Sequence, residues 1–242
     1  MKSKYVIHQK GETFVIYDAN ISQKKSRLKR KLGFLFLSLS LISLFLFLSP
    51  ILFLEIRCRS NQLAFQKKLA SQNGKETLSG FGKLIWLSEK GIISPENWDF
   101  SLIIPEIGVN AKVENSVDLA NKKIYQAILK TGVAHAKGTA LPGKSGTIYI
   151  FGHSTDYPWN VTHYNAYFYP LKYLNKGEEI IIIYQGKNFL YQVEEKKVVE
   201  ADELNYLAST DKEERLVLQT CWPPGTTWKR LIVVAKPINL TN

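Results

Sequence analysis

From Leu32 to Leu54 the chain is apolar apart from serines, Gly33 and Pro50. A helix needs about 20 such residues to cross a bilayer, so this run is long enough to span one. Directly before it stand Lys24, Lys25, Arg27, Lys29, Arg30 and Lys31. A basic flank marks the side retained in the cytoplasm, although Arg57 and Arg59 beyond the run dilute the asymmetry. A cleaved signal peptide is the weaker reading, because the run is long and no small-x-small cleavage site follows it. The segment Glu55-Ile56-Arg57-Cys58 lacks the small residues that would precede a lipid-attachment cysteine. The division expected is a cytoplasmic segment over 1–31, a transmembrane signal-anchor over 32–56, an extracytoplasmic stalk or linker over 57–99, and a folded domain over 100–242.

The charge distribution supports that division. The net charge of +11 belongs mostly to residues 1–60, which carry 11 Lys/Arg against 3 Asp/Glu, whereas residues 61–242 carry 21 against 18. The excess is a local cluster beside an apolar run, so the partner it implies is a lipid bilayer and not nucleic acid. Two cysteines, Cys58 and Cys221, are too few for a disulfide-stapled secreted scaffold.

Chemistry concentrates near the C-terminus. Leu216-Val217-Leu218-Gln219-Thr220-Cys221 is a β-prone run, Trp222-Pro223-Pro224-Gly225 is a turn signal, and Lys229 to Ala235 is a second β-prone run. If the two strands pair antiparallel, Cys221 and Arg230 lie side by side, since neighbouring strands are about 5 Å apart. A nearby cation lowers a thiol's pKa and can stabilise an oxyanion in acyl transfer. The competing reading of Cys221 is a buried structural thiol. A third residue favours the functional one. Thr147-Ile148-Tyr149-Ile150-Phe151-Gly152 reads as a strand with His153 at its end. His153, Cys221 and Arg230 together supply the acid/base, nucleophile and oxyanion partner of a thiol acyl-transfer enzyme.

These residues resemble the signature of the sortases, membrane-bound cysteine transpeptidases of bacterial cell surfaces. Val217-Leu218-Gln219-Thr220-Cys221 is similar to the family's Thr-Leu-x-Thr-Cys strand, with Val217 where Thr is usual; Arg230 and His153 match its Arg and His. Phe100 to Val109 looks like the family's first strand. Gly132-Val133-Ala134-His135 and Gly138-Thr139-Ala140-Leu141-Pro142-Gly143 look like the loop before the His strand. Phe168-Tyr169-Pro170-Leu171 looks like the turn entering the middle strands.

The fold class expected is mainly β. Short runs near Ser101–Ile107, Ala111–Val113, Thr147–Gly152, Glu179–Tyr184, Phe189–Val199, Leu216–Thr220 and Lys229–Ala235, separated by turn signals, suggest a barrel. The resemblance implies a sortase-like eight-stranded β-barrel with short helices, near Tyr125–Lys130 and Ala201–Ala208, preceded by one N-terminal transmembrane helix. Residues 1–23 include Phe14-Val15-Ile16-Tyr17, a strand or nothing, and Asn61 to Gln72 has helical composition.

The resemblance also implies an activity. It is cleavage of a Leu-Pro-x-Thr-Gly-like C-terminal sorting signal through a thioacyl intermediate. Transfer then goes to an amine on a cell-wall precursor or on a pilin Lys. Catalysis is expected from His153, Cys221 and Arg230, with Thr220 and Trp222 as substrate-binding or oxyanion candidates. No cofactor or metal is implied. The catalytic domain is expected outside the cell on a single-pass anchor whose N-terminus is cytoplasmic. Chain order speaks against a papain-like amidase, in which Cys precedes His, and Gln219-Thr220-Cys221 lacks the His-Gly-Cys of L,D-transpeptidases; an inactive barrel is the third reading. His8 falls on the cytoplasmic side. His135 and His163 read as loop residues without a catalytic part. Asp156 could tune His153, and Tyr157, Pro158, Trp159 and Tyr164 could wall a substrate groove.

Overall fold

The computed structural model describes residues 5–10, 13–70, 94–155, 166–207 and 213–238. Contacts divide it into two units, Met1–Ser49 and Pro50–Asn242. In the first, β1 (Tyr5–Lys10) and β2 (Thr13–Asp18) form an antiparallel hairpin, so the Phe14–Tyr17 run is a strand. The long helix α1 (Ala19–Ala70) follows, and its window Lys29–Ser49 is apolar enough to cross a membrane, with none of it buried by protein. Phe34, Leu35, Phe36 and Phe45 are each more than half exposed in the isolated chain. Such a surface suits lipid as its solvent. The helix continues through residues 61–70, where the composition is helical.

The second unit is a closed eight-stranded barrel. It comprises β3 (Phe100–Ile104), β4 (Val109–Val117), β5 (Val133–Ala136), β6 (Gly146–Phe151), β7 (Glu179–Tyr184), β8 (Lys187–Glu200), β9 (Glu214–Trp222) and β10 (Lys229–Pro237). Around the barrel the order is β10-β8-β7-β3-β4-β5-β6-β9, with β9 pairing back to β10. The pairs β4–β5 and β6–β9 are parallel and the others antiparallel. Closure leaves no open sheet edge.

Alternation along each strand decides which side a residue faces. Leu102, Ile148, Ile150, Ile182, Leu216, Leu218, Leu231 and Val233 fill one buried cluster inside the barrel. The intervening Tyr149, Phe151, Val217, Ile232 and Val234 form a second buried cluster on the outer face. It is covered by Tyr125 and Ile128 of α2 (Lys122–Ile128) and by Tyr206 and Leu207. Asn121 caps α2, its side chain accepting the Ile124 N–H at 3.2 Å.

Four features differ from the sequence expectation. The first strand stops at Ile104, because Pro105 has no N–H for the ladder and opens a 3-10 helix, Pro105–Ile107. The second is longer than Ala111–Val113 and reaches Val117 past an irregularity where Ser116 has φ 55°. Val133–Ala136, expected as loop, is the strand β5, so His135 belongs to a strand and is 2 % exposed. Residues 201–207 form turns and no helix. There the Glu203 carboxylate accepts the Asn205 N–H at 3.3 Å, which diverts a donor that helix would need.

Candidate active site

Topology assembles the site. β6 and β9 run parallel, so their C-terminal ends lie on one rim of the barrel, and β10, antiparallel to β9, begins on that rim. His153 follows β6, Cys221 lies at the end of β9, and Arg230 lies at the start of β10. Cys221 and Arg230 are direct cross-strand partners, which puts their Cα atoms about 5 Å apart. Alternation sends both to the outer face, because Leu216 and Leu218 on β9 and Leu231 and Val233 on β10 point inward.

The backbone that carries His153 is tied down on two sides. Gly152 N–H donates to the Gln219 carbonyl at 3.1 Å, and the Thr220 hydroxyl donates to the Gly152 carbonyl at 2.9 Å. From the other side the Phe168 N–H donates to the His153 carbonyl at 3.1 Å. A Cβ at position 152 would lie 2.9 Å from Phe168 and 3.0 Å from Val133, so only glycine lets the strand end pass between them. Ser154 is buried, and neither its hydroxyl nor that of Thr155 has a partner among the described residues.

Two opposing forces act on the Cys221 sulfur. Burial pushes the thiol pKa up and outweighs the Arg230 guanidinium, which pulls it down. Burial thus favours the thiol over the thiolate. Arg230 Nη1 donates to the carbonyls of Thr227 and Lys229, both at 3.0 Å. These bonds hold the guanidinium against its own loop, with other donors of its fork left to spare among the described residues. No disulfide joins Cys221 to Cys58.

Of the two further candidates, Thr220 is buried with its hydroxyl committed to Gly152, on the face opposite Cys221. Trp222 is partly buried and packs against the barrel interior. His135 lies within β5, paired with Ile150 of β6, and bonds β4 and the loop after β5. Nε2 is 2.9 Å from both the Ala140 carbonyl and the Thr139 hydroxyl, and Nδ1 is 2.9 Å from the Asn115 amide oxygen. His163, Asp156, Tyr157, Pro158, Trp159 and Tyr164 lie outside the described residues.

The structure adds a pair that the motif alone did not single out. The Tyr149 hydroxyl donates to Gln219 Oε1 on the outer face of β6 and β9. Gln219 lies two residues before Cys221, hence on its face. Burial pushes the Tyr149 pKa up, and the Arg230 guanidinium pulls it back, so the phenol sits within the field of the same cation that acts on Cys221. The signal available in sequence was the i, i+2 spacing of Gln219 and Cys221.

A closed barrel with a thiol, a guanidinium and an imidazole-bearing strand end on one rim defines a candidate thiol acyl-transfer enzyme. A family model described as the sortase domain matches residues 102–238, more than half of the chain, and the protein belongs to the sortase family of transpeptidases. Sortase D of Bacillus subtilis (strain 168) is 23% identical over 190 residues, covering 76% of this chain and 87% of the relative. Among solved structures, sortase C-1 from Actinomyces oris matches with TM-score 0.50 and 22% identity, over 75% of this chain and 99% of that one. A Group B Streptococcus Pilus Island 1 sortase C2 matches with TM-score 0.50 and 22% identity, over 62% and 78%. These structural likenesses concern the barrel fold.

Proposed function

We propose that this sortase cleaves a Leu-Pro-x-Thr-Gly-like C-terminal sorting signal with Cys221 as nucleophile. It then passes the acyl group to an amine on a cell-wall precursor or on another surface protein, such as a pilin Lys. The observation that carries the reading is the cross-strand pairing of Cys221 with Arg230 on the rim where Gly152 and His153 are bonded to β9 and Phe168.

The chemistry follows from those positions. As the Cys221 sulfur attacks the scissile carbonyl, its S–H proton passes to His153, which avoids a standing thiolate in a buried place. Arg230 stabilises the tetrahedral oxyanion, and its planar fork suits a peptide oxygen. Collapse breaks the C–N bond; His153 returns the proton to the leaving amine, and a thioester remains on Cys221. The acceptor amine attacks that thioester, gives a proton to His153, and leaves with the acyl group as an amide. His153 then reprotonates the sulfur. The thioester conserves acyl-transfer potential, so no nucleotide is consumed.

The arrangement along the chain fits a bilayer partner: residues 1–31 inside the cell, an anchor over 32–56, a stalk over 57–99 and the catalytic domain over 100–242 outside. The Lys24–Lys31 cluster supports that orientation. Enzyme and anchored substrates then share one surface, which raises their effective concentration.

The test is mass spectrometry of the full-length protein in lipid nanodiscs with a library of Leu-Pro-x-Thr-Gly-like peptides and an amine. Wild type is expected to yield a thioacyl adduct on Cys221 and a peptide–amine product. Cys221→Ala is expected to yield neither while keeping its fold. Turnover by Cys221→Ala would remove Cys221 as nucleophile, and no adduct on an alkylatable wild-type Cys221 would favour a barrel without this chemistry.

A further inference from the structure

The 3-10 helix Tyr169–Tyr173 carries a cluster that the reaction does not use. Three of its side chains converge on Glu55, a carboxylate at the outer end of the proposed 32–56 anchor, six residues beyond the apolar window that ends at Ser49. Lys172 Nζ donates to Glu55 Oε2 at 2.7 Å and the Tyr169 hydroxyl donates to the same oxygen at 2.9 Å. The Tyr173 hydroxyl and Arg59 Nε donate to Oε1, the latter at 3.1 Å. Two donors on each oxygen fill the capacity of a carboxylate. Lys172 Nζ also stands 3.9 Å from the Tyr169 ring centroid and 4.8 Å from that of Tyr173, so the cation rests between two π faces.

This cluster differs from an ordinary surface ion pair. Exposed pairs such as Lys112–Glu114 or Lys197–Glu195 join residues on the same strand and contribute little. Glu55 instead bonds residues 114 to 118 positions away in the chain, and the Lys172 side chain is only 19 % exposed. The gripped helix leads straight to the rim. Its N-cap residue is Phe168, whose N–H donates to the His153 carbonyl and whose ring packs within reach of Gly152. On its other side the Lys172 carbonyl accepts from Lys196 Nζ at 2.7 Å, which ties the 3-10 helix to β8.

We propose that Glu55 is a positioning residue for this enzyme: its carboxylate fixes the 3-10 helix Tyr169–Tyr173, and through the Phe168–His153 backbone bond it fixes the strand end that presents the imidazole. The chain before the barrel is thus part of the working enzyme and more than a tether. The proposal rests on the role assigned to His153 above. Substituting Gln for Glu55 removes the charge and turns one acceptor atom into a donor, so one of the two cations, Lys172 or Arg59, loses its bond.

The experiment compares full-length wild type, Glu55→Gln, Lys172→Met and the double variant in lipid nanodiscs, with Glu194→Gln as a control outside the cluster. Two quantities are read: amide exchange at Phe168 and steady-state peptide–amine transfer. Glu55→Gln is expected to speed Phe168 exchange and lower kcat, each by roughly tenfold, with KM within about twofold, because a loosened catalytic geometry costs rate more than affinity. Lys172→Met should do the same, and the double variant should be no worse than either single, as groups acting through one contact are not additive. Phe168 exchange and kcat both equal to wild type in Glu55→Gln would overturn the proposal. Faster exchange with unchanged kcat would overturn the positioning role and leave only a clamp. If wild type transfers no acyl group, the chemistry assigned to His153 fails on its own, while Phe168 exchange still decides whether Glu55 holds the segment.

Discussion

His135 and His153 both sit on strands of the same barrel, one within β5 and one just past β6, yet their surroundings differ in kind. The His135 ring is 2 % exposed, and both of its nitrogens meet oxygen atoms of Asn115, Thr139 and Ala140. Burial pushes its pKa down, with the Ala140 carbonyl pulling modestly the other way. Such a ring holds a neutral tautomer and cements two strands. His153 sits where β6 has ended, on the rim shared with Cys221 and Arg230, with its carbonyl held by Phe168. The fold uses imidazole twice, once as mortar and once as a candidate proton carrier. What separates the two is place: His135 is buried within a strand, and His153 is half-buried at the rim that also carries Cys221 and Arg230.

The strongest attack on the rim's side of this contrast is Arg230→Lys. It keeps the charge and loses the planar fork, so kcat is expected to fall by about 10²- to 10³-fold, the range for removal of an oxyanion donor. Removing the charge altogether with Arg230→Met should act on the sulfur as well. Burial already raises the Cys221 pKa and Arg230 opposes it, so the midpoint of the alkylation-rate profile should move to still higher pH. Steady-state transfer kinetics and iodoacetamide alkylation from pH 6 to about pH 11 check both. Near-normal kinetics in Arg230→Lys would make the residue structural, and the rim would then look like the His135 pocket.

The fold and the rim were legible in sequence to different depths. β6, β9 and β10 are runs of β-branched and aromatic residues closed by Gly152, by Trp222-Pro223 and by Pro237, and their ends hold the three residues expected to act together. β5 was hidden because Val133-Ala134-His135-Ala136 is short and half alanine, a pattern without alternation. Its loss as a strand made His135 look like a loop residue, although its burial follows from pairing with β4 and β6. Residues 201–207 have helical composition, but a side-chain acceptor on Glu203 broke the pattern locally. The Glu55 cluster and the Tyr149–Gln219 pair join residues 114 to 118 and 70 positions apart, so only the folded chain brings them together.

The His135 side of the contrast can be tested by stability. His135→Leu deletes a buried imidazole that bonds the half-buried Ala140 carbonyl and the exposed Asn115 amide, and is expected to cost about 1–2 kcal/mol. The pH dependence carries the sign. A histidine whose folded pKa lies below its unfolded value binds fewer protons when folded, so wild type should lose stability as pH falls below about 6.5, levelling off once the folded ring also protonates. The corresponding slope should shrink in His135→Leu. Urea titrations at pH 5, 6 and 7.5 measure it, with thioacyl formation at pH 7.5 expected to persist. Loss of the adduct in a folded His135→Leu would erase the distinction between the two histidines.

The smallest effect asks whether the rim has its own permanent partners. Tyr149 is 3 % exposed, its hydroxyl donates to Gln219 Oε1, and Gln219 shares the outer face with Cys221. An amide oxygen held in this way leaves its NH2 directed by the protein, on the face that also carries Cys221. Tyr149→Phe deletes one hydrogen bond while preserving the ring that packs in the outer cluster, so about 1 kcal/mol is at stake, or roughly fivefold in kcat/KM. Gln219→Leu, which removes the amide itself, should lower kcat/KM by at least as much, and adding Tyr149→Phe to it should change nothing further, since the hydroxyl's target is gone. Additive losses in the double variant would mean that Tyr149 acts through Arg230, whose guanidinium also acts on its phenol. Unchanged kcat/KM in both single variants would place the pair with His135, among groups that hold the barrel and take no part at its rim.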